Sequence, residues 1–394
     1  MENYMKILII TYTREVNPGT FLQAYGVQYG LKQIFPKASI EYINHERLYS
    51  LTGKEKGSIT TQKKDFTFLK SKALAIPRRI KYELLYKRLF HFSKDTFNFF
   101  DYDEKKFKAF AEEYNLICVG SDTILINIER NNHIGLMWLN NINTQKVFFA
   151  ASAAPANFVI PDKYKYDLAQ SFEKSIHLGV RDKVTKNMLI EQLGIPENKI
   201  QLQPDPTYLI PDSLLKLSVI YKYKLEKIKK KQKIALVNFT GECPYKKSIS
   251  KVVKEQGYYV ISTHFNPDAD WNIMTLSPFE WGALFKYIDI SITDRFHDSV
   301  FTLRNNTPVF AIDWENSRFN KNGFSKTNNL LTTYNLNEFH SIIKNKQDCE
   351  LFINIFKKRH KTPDLEKIKV QIEKINTQIH NTYKIYLDNI KNNY

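Results

Sequence analysis

The segment Thr293-Asp294-Arg295-Phe296-His297 brings together side chains that can hold an anion and transfer a proton. The planar guanidinium of Arg295 can bind a carboxylate or a phosphate through two parallel hydrogen bonds. The imidazole of His297 exchanges its proton near neutral pH. In the structural alternative, Arg295 pairs with Asp294 or Asp298 and His297 only caps a helix. The segment follows an apolar strand and opens a helix, where anions bind in α/β folds, and this position favours a functional role.

Two shorter segments also lie where an apolar strand ends. In Gly179-Val180-Arg181-Asp182, Arg181 can point into a cleft while Asp182 suits a helix N-cap; the alternative is a capping salt bridge. In Val119-Gly120-Ser121-Asp122, Asp122 could take the proton of a sugar hydroxyl or simply cap the next turn. Asp122 and Asp294 are therefore both candidates for a general base, and Ser121 belongs to the same loop as Asp122.

The first strand-to-helix loop is a third candidate. Its residues Asn17, Pro18, Gly19 and Thr20, with Gln23 in the following helix, could bring backbone N–H groups close to an acceptor or another ligand. The loop lacks the full glycine-rich fingerprint of a dinucleotide site.

Composition limits the partners. The net charge of +17 favours anions, namely phosphorylated metabolites, nucleic acid or an acidic membrane, although lysines encoded by an AT-rich gene could simply be solvated. The basic segments carry no recognised nucleic-acid motif, so we expect no nucleic-acid partner. The three cysteines and nine histidines show no metal-ligand spacing, which predicts no metal site. No signal peptide or membrane span is recognisable, so we expect a cytoplasmic protein.

The elements that must position these residues alternate between apolar strands and amphipathic helices. This alternation predicts an α/β protein of two Rossmann-like doubly wound domains facing a cleft, of the glycosyltransferase-B-like kind. The predicted domains are residues 1–211, with a basic helical insertion at about 51–101, and residues 212–345. Residues 346–394 form a helical tail, whose apolar stripe should pack across the domains or against a partner, so a homo-oligomer is left open.

A basic amphipathic stretch, Arg78 to Phe92, lies inside the predicted insertion. Five basic side chains accompany its apolar face, which suits peripheral contact with an anionic membrane at the inner face of the cell. A helix packed in the core, with its lysines and arginines in solvent, is the equal alternative.

The ordered motifs resemble those of the polysaccharide pyruvyltransferase family. The segments that carry the resemblance are Gly19-Thr20-Phe21-Leu22-Gln23-Ala24-Tyr25, Val119-Gly120-Ser121-Asp122, Gly179-Val180-Arg181-Asp182, Pro204-Asp205-Pro206-Thr207, Ser277-Pro278 with Trp281, Thr293-Asp294-Arg295-Phe296-His297, and Asn306-Thr307-Pro308-Val309. The resemblance implies a glycosyltransferase-B-like fold, phosphoenolpyruvate as co-substrate without a further cofactor, and a sugar or lipid-linked oligosaccharide as acceptor. The implied product is a pyruvate ketal on a bacterial surface polysaccharide.

The same resemblance implies roles for single residues. Arg181 and Arg295 match arginines that hold the donor, and His297 matches the histidine of acid–base catalysis. The chain departs from the family pattern at Thr123 and Leu125, where family members often have Gln and Trp, and at Asp298, where they often have Gly. Two other functions remain open: a nucleotide-sugar-dependent glycosyltransferase and a non-catalytic scaffold in polysaccharide assembly.

Overall fold

The computed structural model describes residues 5–45, 66–125, 129–130, 133–239, 243–314, 318–319 and 323–394. The chain divides into two compact units, Met1–Leu209 with Tyr383–Tyr394, and Ile210–Thr382. The sequence predicts a boundary at residue 211 and a separate tail at 346–394. The structure instead shares the tail between the units, because its last twelve residues pack with the first unit and the rest with the second.

The first unit is built on a seven-stranded sheet in which all pairings are parallel. Its strands are β1 (Lys6–Ile10), β2 (Ser39–His45), β3 (Phe92–Phe97), β4 (Leu116–Val119), β7 (Gln145–Ala151), β8 (His177–Val180) and β9 (Ile200–Leu202), and a small antiparallel pair consists of β5 (Glu129–Arg130) and β6 (His133–Ile134). The helices are α1 (Pro18–Ile34), α2 (Phe66–Leu89), α3 (Glu104–Ala111), α4 (Asp162–Glu173) and α5 (Lys183–Leu193). The sheet order is β3-β2-β1-β4-β7-β8-β9.

The second unit repeats this plan with a six-stranded parallel sheet. Its strands are β10 (Ile234–Asn238), β11 (Tyr259–Ser262), β12 (Trp271–Asn272), β13 (Ile290–Thr293), β14 (Val309–Asp313) and β15 (His340–Ile342), in the order β12-β11-β10-β13-β14-β15. Its helices are α6 (Val219–Lys229), α7 (Lys246–Glu255), α8 (Pro278–Leu284), α9 (Phe296–Arg304), α10 (Lys326–Thr333), α11 (Lys346–Arg359) and α12 (Thr362–Asn393), the last of which ends in the first unit.

Both sheets have the strand order of a Rossmann fold. In each, the chain builds outward in one direction for three strands, returns to the middle, and continues in the other direction, with β4 beside β1 and β13 beside β10. The side chains of the central strands are buried on both faces, as parallel sheets covered by helices require. β4 is a continuous apolar run, whereas β10 ends in Asn238 and β13 alternates isoleucine with Ser291 and Thr293. The predicted fold class is confirmed.

The expected insertion has a different structure from the one we predicted. Residues 51–65 lie outside the described part of the chain, and the remainder forms α2 and then β3. Because β3 pairs in parallel with β2, this segment extends the edge of the first sheet instead of standing apart as helices. In α2, Tyr82 and Tyr86 pack against Phe21 in the core, as in the core-packed alternative.

The predicted apolar stripe of the tail is confirmed in α12. Its six predicted members are all buried: Leu365, Ile368, Ile372, Ile375, Ile379 and Tyr383. Leu387 and Ile390, which are also buried, continue the stripe to the end of the helix. Within the second unit, Asn376 of α12 donates to the carbonyl of Leu303 at 2.8 Å. Within the first unit, Tyr386 of α12 donates to the carbonyl of Leu202 at 2.6 Å. No helix in the described ranges combines the length and the hydropathy needed to cross a bilayer.

Replacing Ile372 by alanine tests the packing of α12. The side chain of Ile372 is 0% exposed, so Ile372→Ala should lower the free energy of unfolding of the second unit by about 2–5 kcal/mol through lost burial and a residual cavity. Val370, two residues earlier and 67% exposed, is the matched control, and Val370→Ala should change it by less than about 0.5 kcal/mol. Equal effects of the two changes, measured by urea unfolding, would contradict the burial of this stripe.

Candidate active site

A hydrogen-bond network joins the carboxyl ends of three neighbouring strands in the second unit. Asn238, the last residue of β10, accepts from Ser262 of β11 at 2.9 Å and donates to the hydroxyl of Thr263 at 2.8 Å. The same amide donates to a carboxylate oxygen of Asp298 in α9 at 2.8 Å, and Thr293 of β13 donates to that oxygen at 3.2 Å. All five side chains are buried, so the network holds the ends of the strands and the start of α9 in one arrangement.

The first turn of α9 presents Arg295 and His297 above this network. Arg295 is the N-cap, in extended conformation, and its side chain makes no cap hydrogen bond. Arg295 and His297 are both half-buried, whereas Phe296 and Asp298 are buried. The side chains of Phe296 and Asp298 therefore point into the core, and those of Arg295 and His297 point towards solvent. A cation and an imidazole remain accessible at a helix N-terminus, where the helix dipole also attracts anions.

Asp298 occupies the position where the resemblance implies a glycine. Its carboxylate lies in the interior at the third residue of α9. Burial raises the pKa of the Asp298 carboxyl above its ordinary value, and the charge of Arg295 and the hydrogen bonds from Asn238 and Thr293 oppose that rise. The carboxylate points away from solvent, so the aspartate adds a structural hydrogen-bond acceptor without filling the outer side of the turn.

Asp294, one of the two candidate bases, has no access to solvent. Its carboxylate accepts from the indole of Trp314 at 2.7 Å and lies 3.6 Å from the guanidinium of Arg318. Arg318 also donates to the backbone carbonyl of Asp294. A carboxylate that is 0% exposed and engaged in this way holds the loop before Arg295 in place. We therefore correct the expectation that Asp294 is available as a base.

In the first unit, Arg181 forms a buried ion-pair cluster with two carboxylates. Its guanidinium lies 3.2 Å from Asp205 and 3.6 Å from Asp122. Asp205 is itself held by the backbone N–H and the hydroxyl of Thr207, at 3.0 and 2.8 Å. The shorter contact anchors Arg181 to Asp205, whereas the contact with Asp122 is longer than a hydrogen bond. The predicted N-cap role of Asp182 is confirmed, since its carboxylate accepts from the N–H of Thr185 at 2.8 Å.

Asp122 keeps the access that Asp294 lacks. Its side chain is 15% exposed. Its backbone has a φ of 94°, an uncommon conformation for a residue with a side chain, and such conformations cluster at functional sites. The preceding turn requires Gly120, because a Cβ there would lie 2.1 Å from the carbonyl oxygen of Phe149. Ser121 is buried and donates to the carbonyl of Ala150 at 3.2 Å, which gives it a structural role.

The first loop does not offer the backbone donors that we expected. The side chain of Asn17 caps α1 by accepting from the N–H groups of Gly19 and Thr20, at 3.0 and 3.4 Å. Thr20 and Gln23 are buried, with 5% and 0% of their surfaces exposed. These residues position α1 against the core.

The sequence missed several residues that support these clusters. Asp205 lies in a motif that carried the resemblance, but nothing local indicated that it pairs with Arg181. Asn238 could have been noticed as a polar residue that ends an apolar strand. Trp314 and Arg318 gave no signal, because they reach Asp294 from a separate loop. In the described ranges no group of three or more His, Cys, Asp or Glu side chains could hold a metal ion.

The sequence between residues 17 and 316 matches the family model for polysaccharide pyruvyl transferase. This match covers most of the chain and contains every candidate residue described above. The chain belongs to the polysaccharide pyruvyl transferase family. No curated protein sequence matches the chain.

The solved structures that share this fold include an epimerase and a glycosyltransferase. A UDP-GlcNAc 2-epimerase from Neisseria meningitidis aligns with a TM-score of 0.54 at 12% identity, over 98% of this chain and 99% of the epimerase. A glycosyltransferase from Rickettsia africae aligns with a TM-score of 0.51 at 12% identity, over 99% of this chain and 100% of that one. At such identities the likeness shows the glycosyltransferase-B-like fold of this pyruvyl transferase family member and nothing about its substrates.

The pKa of Asp298 gives the second unit a defined pH dependence. A carboxyl whose pKa is raised on folding stabilises the protein most when it is protonated, below the ordinary pKa of about 3.9, and that contribution is lost as the pH rises through the raised value. The free energy of unfolding of the wild type, measured relative to Asp298→Asn, should therefore fall as the pH rises above about 4 and then level off. Urea unfolding of both proteins from pH 4 to 7 measures this difference. If the stability difference between the two proteins instead grows with pH, the charge of Arg295 lowers the pKa of Asp298 by more than burial raises it.

Proposed function

We propose that this protein transfers the pyruvyl group of phosphoenolpyruvate to two hydroxyls of a sugar, as part of the synthesis of a bacterial surface polysaccharide or of its lipid-linked precursor. The observation that carries the proposal is the paired accessibility of Arg295 and His297 in the first turn of α9, over a fixed buried network. Membership of the polysaccharide pyruvyl transferase family supports the same reaction.

Arg295 is the proposed donor-binding group. Phosphoenolpyruvate carries a phosphate and a carboxylate, and a guanidinium can bind either through two hydrogen bonds. The N-terminus of α9 adds a partial positive charge to that of Arg295. Arg181 is a second proposed donor-binding residue. A bound anion would have to compete with Asp122 for the guanidinium, and the Asp122 contact is the longer of the two ion pairs that Arg181 makes.

His297 is the proposed general acid. Addition of an alcohol to the enol carbon requires a proton on the methylene carbon, which becomes a methyl group, and positive charge then develops at the enol carbon. One sugar hydroxyl adds to that carbon, the C–O bond to phosphate breaks, and a second hydroxyl completes the ketal. The reaction balances because the two sugar hydroxyls lose two protons. One restores the general acid, which gave its proton to the methylene carbon, and the other leaves on inorganic phosphate.

Asp122 is the proposed base for an acceptor hydroxyl. Unlike the buried Asp294, it retains partial solvent access, and its backbone conformation is held by hydrogen bonds from the N–H groups of Ser152 and Ile124, at 2.9 and 2.8 Å. The N–H of Thr123 donates to a carboxylate oxygen of Asp122 at 2.7 Å, which orients the side chain as a base requires.

Replacing His297 tests the acid. His297→Ala should lower the release of inorganic phosphate from phosphoenolpyruvate, measured with a panel of sugars bearing neighbouring hydroxyls, by roughly 10²–10⁴-fold at an unchanged unfolding midpoint. His91, an exposed histidine, is the control, and His91→Ala should retain full turnover. A fully active His297→Ala protein would remove this residue from the mechanism.

Replacing Arg295 tests the donor site without knowledge of the acceptor. Phosphoenolpyruvate at about 100 times its dissociation constant should stabilise the folded protein by about 2.7 kcal/mol, which raises the unfolding temperature by several degrees. Arg295→Gln should abolish this shift. Lys251→Gln, which removes one exposed positive charge from the same unit, should preserve it.

The same titration separates the proposal from its rivals. Inorganic phosphate alone should stabilise the protein less than phosphoenolpyruvate does. A larger shift with nucleoside diphosphates would instead point to glycosyl transfer from a nucleotide sugar. If neither class of ligand shifts the unfolding temperature, the proposed donor site is wrong and a scaffold role gains support.

A further inference from the structure

A second basic surface lies on the second unit, in the segment from Leu214 to Lys233 that contains α6. It holds eight lysines against a single acidic residue, Glu226. The resemblance and the sequence motifs gave this segment no role. Its local charge accounts for a large part of the excess of +17 carried by the whole chain.

The start of α6 exposes bulky apolar side chains beside these lysines. Val219 is 82% exposed, Ile220 78% and Tyr223 66%. The opposite side of the helix is the one that packs inward, since Leu225 is 0% exposed. Exposed apolar and aromatic side chains this large carry a cost in water, and three of them on one helix mark an interaction surface.

Helical spacing places apolar and basic residues on the same outer face. Val219, Ile220 and Tyr223 lie at i, i+1 and i+4 in the first half of α6, and Lys227 and Lys230 continue the face at i+4 and i+7 from Tyr223. Both lysines are exposed. The face is therefore apolar at its beginning and cationic towards its end.

This pattern fits one class of partner. An amphipathic helix that lies in a membrane surface inserts aliphatic and aromatic side chains to the depth of the headgroups, while its lysines contact anionic lipids. A second copy of the chain would bring one lysine-rich face against another and would be repelled. Nucleic acid would use the lysines but has no use for exposed Val219 and Ile220.

The α2 helix is a weaker candidate for the same contact. It also exposes aliphatic side chains, with Ile80 at 56% and Leu84 at 62%. However, the tyrosines of α2 pack in the core, and one of its arginines, Arg78, is buried. Fewer exposed charges therefore lie beside Ile80 and Leu84. The α6 face combines greater apolar exposure with a denser set of lysines.

We propose that the outer face of α6 docks the protein on an anionic lipid bilayer, with Val219, Ile220 and Tyr223 inserted among the headgroups and the lysines of residues 214–233 bound to lipid phosphates. This inference is independent of the proposed reaction, since it requires neither phosphoenolpyruvate nor an acceptor. It would hold the enzyme at the surface where lipid-linked substrates reside.

Sedimentation with vesicles tests the proposal on the full chain. The wild type should bind vesicles with 30% phosphatidylglycerol in phosphatidylcholine, should not bind pure phosphatidylcholine, and should dissociate in 1 M salt, which shortens the screening length to about 3 Å. The double change Val219→Ser with Ile220→Ser should weaken binding roughly tenfold. Lys227→Gln with Lys230→Gln should weaken it roughly 25-fold, since each lysine contributes about fivefold. All four side chains are exposed, so these variants should fold.

Matched controls separate this surface from general basic charge. Lys357→Gln with Lys358→Gln removes two exposed charges from α11 and should leave binding within about twofold of wild type. Several results would overturn the proposal: no binding to anionic vesicles at low salt, loss of binding only with Ile80→Ser and Leu84→Ser in α2, or binding to duplex DNA that the Val219 and Ile220 changes leave intact. A dimer in lipid-free solution that these two changes dissociate would overturn it too.

Discussion

Parallel strand pairing is the constraint on which this structure depends. A chain that adds parallel strands must return to the same end of the sheet each time, so all strands of one parallel sheet have their carboxyl ends at one common edge. Buried backbone groups find their partners only within the ladder, which explains why β1 and β10 pair on both sides along their length. The residues after β4 and β8, and those after β10 and β13, are neighbours in their units for this reason alone.

Buried hydrogen bonds then decide which of these neighbours can act. At the end of β13, the two aspartates turn inward to fixed partners, while Arg295 and His297 keep partial access to solvent. At the end of β8, Arg181 faces a buried carboxylate, Asp205, and a partly accessible one, Asp122. A buried charge without partners is costly, so these pairings are requirements of folding as well as elements of the site.

Charge is distributed unevenly on the surface. Lysines concentrate on α6, whereas the buried charged groups at the strand ends are matched by nearby partners. In the two proposals, a small anion binds at the end of a strand through a few oriented groups, and an extended anionic layer binds a different surface through many loosely oriented ones. The two kinds of binding respond differently to salt, because screening weakens exposed charges far more than buried ones.

The amino-acid sequence alone determined the features that depend on residues close together in the chain. Apolar runs predicted the central strands, Asp182 was predicted as a helix N-cap, and the order of motifs placed Arg295 and His297 at a strand end. These features depend on residues within one or two turns of each other. Only the tertiary structure separated Asp122 from Asp294, paired Arg181 with Asp205, and left α6 exposed while the tyrosines of α2 were buried. Burial and ion pairing join residues far apart in the chain, such as Asp294 and Arg318, and local spacing does not encode which of them will meet.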